Sequence, residues 1–260
     1  MNKISVITIC FNNLSELQKT CQSVDNQSIH PYEHIIIDGS TNADIKSFFE
    51  KNNNPSYRKS IHEKDHGISD AFNKGIQLAK GDIIVLLNAS DTYYDETSLS
   101  KVIQTFNEYP NINWLHAKYQ LFRGGKWVII GKPFDAGKLY RGMRSICHQT
   151  MYIRKKLYEK HGLYDTSLKI GMDYDFLIRI KDEPFFFIDE PIVNYAPAGI
   201  SSVQYLQALQ ETSIIFQKKF GNTLLHRLWQ VRLKFLYFLL KSPFGQFLYR
   251  IKIWLKLENM

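Results

Sequence analysis

The chain opens with Ile4-Ser5-Val6-Ile7-Thr8-Ile9-Cys10, a β-rich run closed by polar Asn12-Asn13, and such a run between turn residues predicts a strand. Asn13 with Glu16 three residues later has the form of a capping box, and Leu14, Leu17, Cys21 and Val24 then recur at helical spacing. His34-Ile35-Ile36-Ile37 predicts a short buried strand ending at Asp38-Gly39-Ser40. Ile68, Ala71, Phe72, Gly75, Ile76 and Ala79 share one helix face, Gly81 stops that helix, and Ile83-Ile84-Val85-Leu86-Leu87 follows as an apolar strand. Strand and helix alternating in this rhythm predict an α/β fold, a mostly parallel sheet with crossover helices.

After Pro110 the pattern loosens. Gly124, Gly125, Gly131, Pro133 and Gly137 punctuate a stretch rich in Lys and Arg, which reads as strand pieces and a long loop. Helical patterns return over residues 154–161, before Gly162, and from Asp173 to about residue 181. From Leu224 the chain becomes aromatic and basic. Arg227, Lys234 and Lys241 recur every seven residues, and Leu228, Phe235, Leu236, Phe238 and Leu239 cover much of the remaining circumference. Ser242-Pro243 breaks that helix, and a second segment sets Phe247, Leu248, Ile251, Trp254 and Leu255 against Arg250, Lys252 and Lys256. The chain thus divides into sections 1–110, 111–221 and 222–260.

Hydrophobic residues make up 44% of the 260 and charged residues 22%, which excludes a disordered, collagen-like or disulfide-scaffold chain. Charge is uneven: residues 222–260 hold seven Lys/Arg and one acid, Glu258, a net of +6 against +8 for the whole chain. Cys10, Cys21 and Cys147 cannot all pair and match no zinc spacing. The N-terminal apolar run is too short for a signal peptide, and no run approaches the ~20 apolar residues of a spanning helix. These features predict a reduced, cytoplasmic chain. The basic amphipathic tail predicts helices lying on an anionic membrane surface, peripheral on the inner face of the plasma membrane. The competing reading packs the tail on the rest of the chain or on a second subunit.

Ligands of a parallel α/β sheet bind beyond the C-terminal ends of its strands. Three predicted strands end in polar residues, at Thr8 to Asn12, at Asp38-Gly39-Ser40 and at Asn88-Ala89-Ser90-Asp91. Asp91, expected at a surface crevice, is the metal candidate, because Mg²⁺ or Mn²⁺ needs one or two carboxylates plus substrate phosphates. Neither GxGxxG nor GxxxxGK[ST] occurs, so a nucleotide would be held through a metal and scattered polar contacts.

From about Lys3 to Tyr195 the chain resembles family 2 glycosyltransferases of the GT-A fold. The resemblance rests on an ordered series: Ser5-Val6-Ile7-Thr8 with Asn12, Ile36 to Thr41, Glu63 to Ile68, and Asp70 to Gly75. Gly81-Asp82 leading to Leu87-Asn88-Ala89-Ser90-Asp91, then Cys147-His148-Gln149 and Gly171-Met172-Asp173-Tyr174-Asp175, complete it. It implies a nucleotide-sugar site drawing on Thr8, Asn12, Asp38, Asp65, Asn73, Lys74, Asn88 and Ser90, with Thr8, Asp38 and Asp65 on base and ribose. It implies Asp91 as ligand of a divalent cation (Mn²⁺ or Mg²⁺), Asp173 as catalytic base, and His148 as a diphosphate or acceptor contact. Two departures stand out: Ser90 occupies a position where the family often has an acid, and Met172 replaces the usual Glu before Asp173.

Section 1–110 is then the nucleotide-sugar-binding half, 111–221 the acceptor and catalytic-base half, and 222–260 the tail. The activity implied is inverting transfer from a nucleoside-diphosphate sugar, with UDP expected, to a hydroxyl of a saccharide or lipid-linked saccharide in bacterial surface polysaccharide assembly. Asp173 also has a plain reading, since an Asp in a first helical turn complements the dipole and caps amides. His148 likewise reads as a structural histidine, and Asp175 as the capping or orienting member of its pair. The basic residues Arg123, Lys126, Lys132, Lys138, Arg141 and Arg144 read mostly as a solvated face. A nucleic-acid-binding protein is the rival suggested by the basic balance, but no recognition motif appears. A nucleotidyltransferase would want a basic Gly-rich loop near the N-terminus, and residues 8–13 offer none.

Overall fold

The computed structural model describes residues 2–144, 146–196, 203–245 and 247. Strand β1 (Ile4–Cys10) is buried at every position but Ile9, and β2 (Glu33–Asp38) is buried throughout. They pair in parallel, with β3 (Arg58–His62) outside β2 and β4 (Ile83–Leu86) on the other side of β1. Helices α1 (Leu14–Asp25), α2 (Asp44–Lys51) and α3 (Ile68–Leu78) make the crossovers. Gly75 lets α3 lie directly on β1, because a Cβ there would meet Ile7 Cγ2 at 2.4 Å. The expected capping box does not form: Asn13 Oδ1 accepts instead from the Phe11 N–H at 3.0 Å, and Glu16 takes the Ser15 hydroxyl.

The second section extends the same sheet rather than trailing off as a loop. After β5 (Thr92–Tyr93) and α4 (Ser98–Glu108), the ten-residue β6 (Trp114–Arg123) turns at Gly124-Gly125 into β7 (Lys126–Ile130). Then come β8 (Tyr152–Arg154), α5 (Lys155–His161), α6 (Met172–Arg179) and β9 (Phe185–Tyr195). Among the described residues the strand order is β3-β2-β1-β4-β8-β6-β9-β5, with β7 on β6. β8 is antiparallel to β4 and β6, and β5 is antiparallel to β9, so the sheet is mixed on this side. Pro191, which has no N–H for the ladder, sits where the β6–β9 register shifts at Lys118.

One core packs α3, α5 and α6 on the sheet around Phe72, Trp114 and Phe176, and a second lies under α4 around Leu99, Phe106 and Tyr152. Helices α7 (Tyr205–Phe220) and α8 (Leu224–Lys241) follow β9 as a hairpin. Buried His226 of α8 stacks on Phe216 at 4.4 Å and bonds Ser213 Oγ at 2.9 Å. Trp229 meets Tyr140 of a 3₁₀ turn (Ala136–Arg141), with Arg141 and Arg144 over its ring. Two of the basic loop residues therefore anchor the tail. Apart from Phe247, the second tail segment expected at residues 247–256 lies outside the described residues. No described helix is long and apolar enough to cross a membrane.

Candidate active site

The C-terminal ends of β1 and β4 face α6 and α7 across a cleft of about 890 Å³. Of the residues expected at a donor site, Asp65, Asn88, Ser90, Asp91, His148 and Asp173 line it. Thr8, Asp38 and Asn73 are buried behind it, exposed Asn12 and half-buried Lys74 lie outside its lining, and all five have partners of their own. Arg58 Nε donates to His34 Nδ1, so His34 carries its proton on Nε2 and gives it to Thr8 Oγ1 at 2.9 Å. Burial, and then the neighbouring Arg58, push the His34 pKa well below its usual value. Asp38 accepts from the Ser40 N–H and pairs with His62 Nδ1 at 2.6 Å. Asn12 clasps Thr41, Asn73 stitches α3 to the Tyr164 backbone, and Lys74 pairs with Glu63. Asp65 reaches the cleft because Gly39 has no side chain: a Cβ there would fall 1.9 Å from Asp65 Oδ2.

The Asn88–Asp91 turn is wound tightly. Ser90 sits at φ 86, a left-handed conformation uncommon for a non-glycine residue. Thr20 of α1 pays that strain back in hydrogen bonds, accepting the Ser90 N–H at 3.0 Å and donating to the Asp91 carbonyl at 2.8 Å. The turn drives Asp91 inward, so it lies 2% exposed on the cleft floor and not at an open crevice. Its carboxylate accepts from Gln149 Nε2 at 2.7 Å and from the Ala196 N–H at 2.9 Å. Burial raises its pKa to about 6, against the pull of these bonds and of His148.

Across the cleft, His148 Nδ1 is 2.9 Å from Asp173 Oδ2, and His148 Nε2 is 3.2 Å from Asn88 Nδ2. Burial draws the His148 pKa down, but the carboxylates of Asp173 and Asp91 outweigh it and hold the ring above its ordinary value. Asn88 Oδ1 and Asp173 Oδ1 are buried without a hydrogen-bond partner. Asp173 does not cap its helix. Glu211 of α7 ties down the turn leading into it, its Oε2 accepting from the N–H groups of Lys169, Ile170 and Gly171 at 3.2, 2.9 and 2.9 Å. Asp175 turns to Arg179 at 3.0 Å, and Arg179 ties α6 to the carbonyls after α5. Met172, in place of the expected Glu, is buried in the core.

Gln149, Thr20 and Glu211 escaped sequence reasoning as site residues. Gln149 at least lay beside a residue already singled out. Thr20 and Glu211 act through tertiary proximity that no spacing in the sequence records.

No group of three His, Cys, Asp or Glu side chains able to hold a metal occurs among the described residues. The donor set present, Asp91 with the unpartnered Asn88 Oδ1, is hard and oxygen-only. It fits a divalent cation that takes most of its coordination from phosphate and water.

Comparison with known proteins bears on this geometry. The family model for glycosyl transferase family 2 matches residues 5–162. A PGL/p-HBAD biosynthesis glycosyltransferase of Mycobacterium bovis (strain BCG / Pasteur 1173P2) is 28% identical over 215 residues, 81% of this chain and 80% of its own. An uncharacterised glycosyltransferase of Mycobacterium tuberculosis (strain CDC 1551 / Oshkosh) is 29% identical over 184 residues, 68% of each chain. Among solved structures, S. aureus TarS 1-349 in complex with UDP-GlcNAc matches with a TM-score of 0.64 at 15% identity, over 83% of this chain and 66% of that one. Mannosyltransferase PcManGT from Pyrobaculum calidifontis, in complex with GDP-Man and Mn²⁺, matches with a TM-score of 0.63 at 14% identity, over 85% and 65%. The chain spans just under two thirds of both solved chains, and at these identities the likeness is one of fold.

Proposed function

The chain belongs to glycosyl transferase family 2, and from that premise we propose that it moves a sugar from a nucleoside-diphosphate donor to a hydroxyl acceptor with inversion at the anomeric carbon. The observation carrying this is the state of Asp173. His148 fixes one carboxylate oxygen, and the other is buried at the cleft with no partner.

Asp173 Oδ1 takes the proton of the acceptor hydroxyl as that oxygen bonds to the anomeric carbon and the bond to the diphosphate oxygen breaks. One base and one displacement invert the configuration. His148 keeps the carboxylate aimed, and the Glu211 latch fixes the helix that carries it. Asp91 and Asn88 Oδ1 would hold a divalent cation, which when bound offsets charge on the departing diphosphate. Asp65 and exposed Phe11 line the same cleft, offering a hydrogen-bond acceptor and an aromatic face to base and ribose.

A UDP-sugar is the first donor to test, because the TarS complex holds UDP-GlcNAc; the GDP-Man of PcManGT makes GDP-sugars the second. The acceptor class is a saccharide or lipid-linked saccharide of surface polysaccharide or glycolipid assembly, consistent with the role of the Mycobacterium bovis relative in PGL/p-HBAD biosynthesis.

The test is a panel of UDP- and GDP-sugars with manganese, read as nucleoside diphosphate release and, with an acceptor, as the anomeric configuration of the product by NMR. Asp173→Asn should lose about 10²–10⁴ in turnover while donor affinity holds. Normal turnover in that variant, or a product of retained configuration, refutes the assignment.

A further inference from the structure

Helix α8 presents to solvent an apolar face that the fold leaves uncovered. Leu224, Leu228, Val231, Phe235 and Phe238 fall within an arc of about 80° at 100° per residue. Each is between 59 and 70% exposed. The opposite face, with His226 and Leu233, is the one packed on the domain. Arg227, Lys234 and Lys241 run along one flank of the stripe and Arg232 along the other, all exposed, and α8 contains no acidic residue.

We propose that α8 seats this stripe on an anionic lipid surface, apolar side chains down, with the flanking Arg and Lys reaching to head groups. Charge favours lipid over a second copy of the chain. A two-fold pairing of α8 with itself would bring the basic flanks together with no α8 acid to offset them. The placement also has a consequence for the acceptor, and this part rests on the glycosyl-transfer reading above. α7 lines the cleft through Ala208 and Thr212 and is bound to α8 through the Tyr205–Tyr237 and Phe216–His226 stacks. A lipid-seated α8 therefore leaves only the α7 layer between itself and the cleft, on the side from which a sugar carried on a lipid would approach.

The test is flotation of the full chain with vesicles of phosphatidylcholine and phosphatidylglycerol (70:30) and of phosphatidylcholine alone. The chain should float with the anionic vesicles and lose that binding in high salt. Arg227→Gln, Lys234→Gln and Lys241→Gln should each lower the partition by about fivefold. The double variant Phe235→Glu/Phe238→Glu should lower it by more, with donor hydrolysis in solution unchanged, since none of these residues lines the cleft. A wild-type chain that stays at the bottom overturns the proposal, as do variants that float like wild type. So does a solution dimer that Phe235→Glu dissociates in the absence of vesicle binding, which would make the stripe a protein interface. Flotation by a chain that hydrolyses no donor would leave this surface standing and sink the proposed function instead.

Discussion

Asp91→Asn should make the metal-free protein more stable at neutral pH while abolishing transfer. Asp91 is 2% exposed, and burial raises its pKa from 3.8 to about 6. The folded chain thus holds this proton more tightly than the unfolded chain. Stability from this site is full below about pH 4, is lost as pH rises through 6, and is absent at pH 7. A shift of about two units corresponds to ~3 kcal/mol. Asparagine escapes that cost but needs Gln149 to turn its amide, which breaks the Cys147–Gln149 contact and returns about 1 kcal/mol. The expected net gain at pH 7 is then ~2 kcal/mol, a rise of about 5 °C in Tm for a chain of this size. Denaturant unfolding in EDTA at about pH 4, 5.5, 7 and 8 measures it, and the difference between the two proteins should open between the first and third points. Manganese with a nucleoside diphosphate should then stabilise wild type alone and narrow the gap. A variant less stable than wild type at pH 7, or a difference that does not change with pH, would refute this account of the cleft floor.

Glu211→Ala removes the acceptor for three amides entering α6 and should cost about 1.5–3 kcal/mol of stability. Turnover should fall about tenfold or more with donor affinity intact, and Glu211→Gln should recover part of it; equal losses in both kinetic terms would mark a general folding defect. His148 protonates as pH falls through a value above its ordinary 6.5, and its Nε2 then becomes a donor facing the Asn88 amide nitrogen. Activity should therefore decline as pH falls through that raised value, and His148→Gln should lack that acid limb in the pH–rate profile; an unchanged limb assigns it to another group.

The parallel half of the fold was legible because strands buried on both faces write themselves as unbroken runs, as β1, β2 and β4 do. β9 hid its nature behind Asp189, Glu190 and Pro191 in mid-strand, and α7 behind a face where only Leu209, Ile215 and Phe216 are buried. In the site, strand-end polarity and family resemblance pointed to Asn88, Asp91, His148 and Asp173, which the fold gathers. Position in a motif did not reveal depth. Thr8 lies inside β1 and Asp38 ends β2, and their oxygens are occupied by His34 and His62. The plain reading of Asp173 as a helix cap finds no bond to support it, and the turn entering α6 is tied down by Glu211, 38 positions away, through contacts that no spacing in the sequence records.

The bond from the Ala196 N–H to Asp91 spans 105 positions and depends on β9 lying beside β5. On a ribosome adding about 5–20 residues per second, Asp91 emerges some 5–20 seconds before the amide that will hold it. Until then its turn is tied to α1 but open to water on the other side, and the nascent first section has no finished floor on which to seat a diphosphate. The same dependence constrains protein engineering. A chimera joined at residue 110 would take Asp91 from one parent and both groups that hold its carboxylate, Gln149 and the Ala196 N–H, from the other, so the buried turn would fit only where those segments came with it.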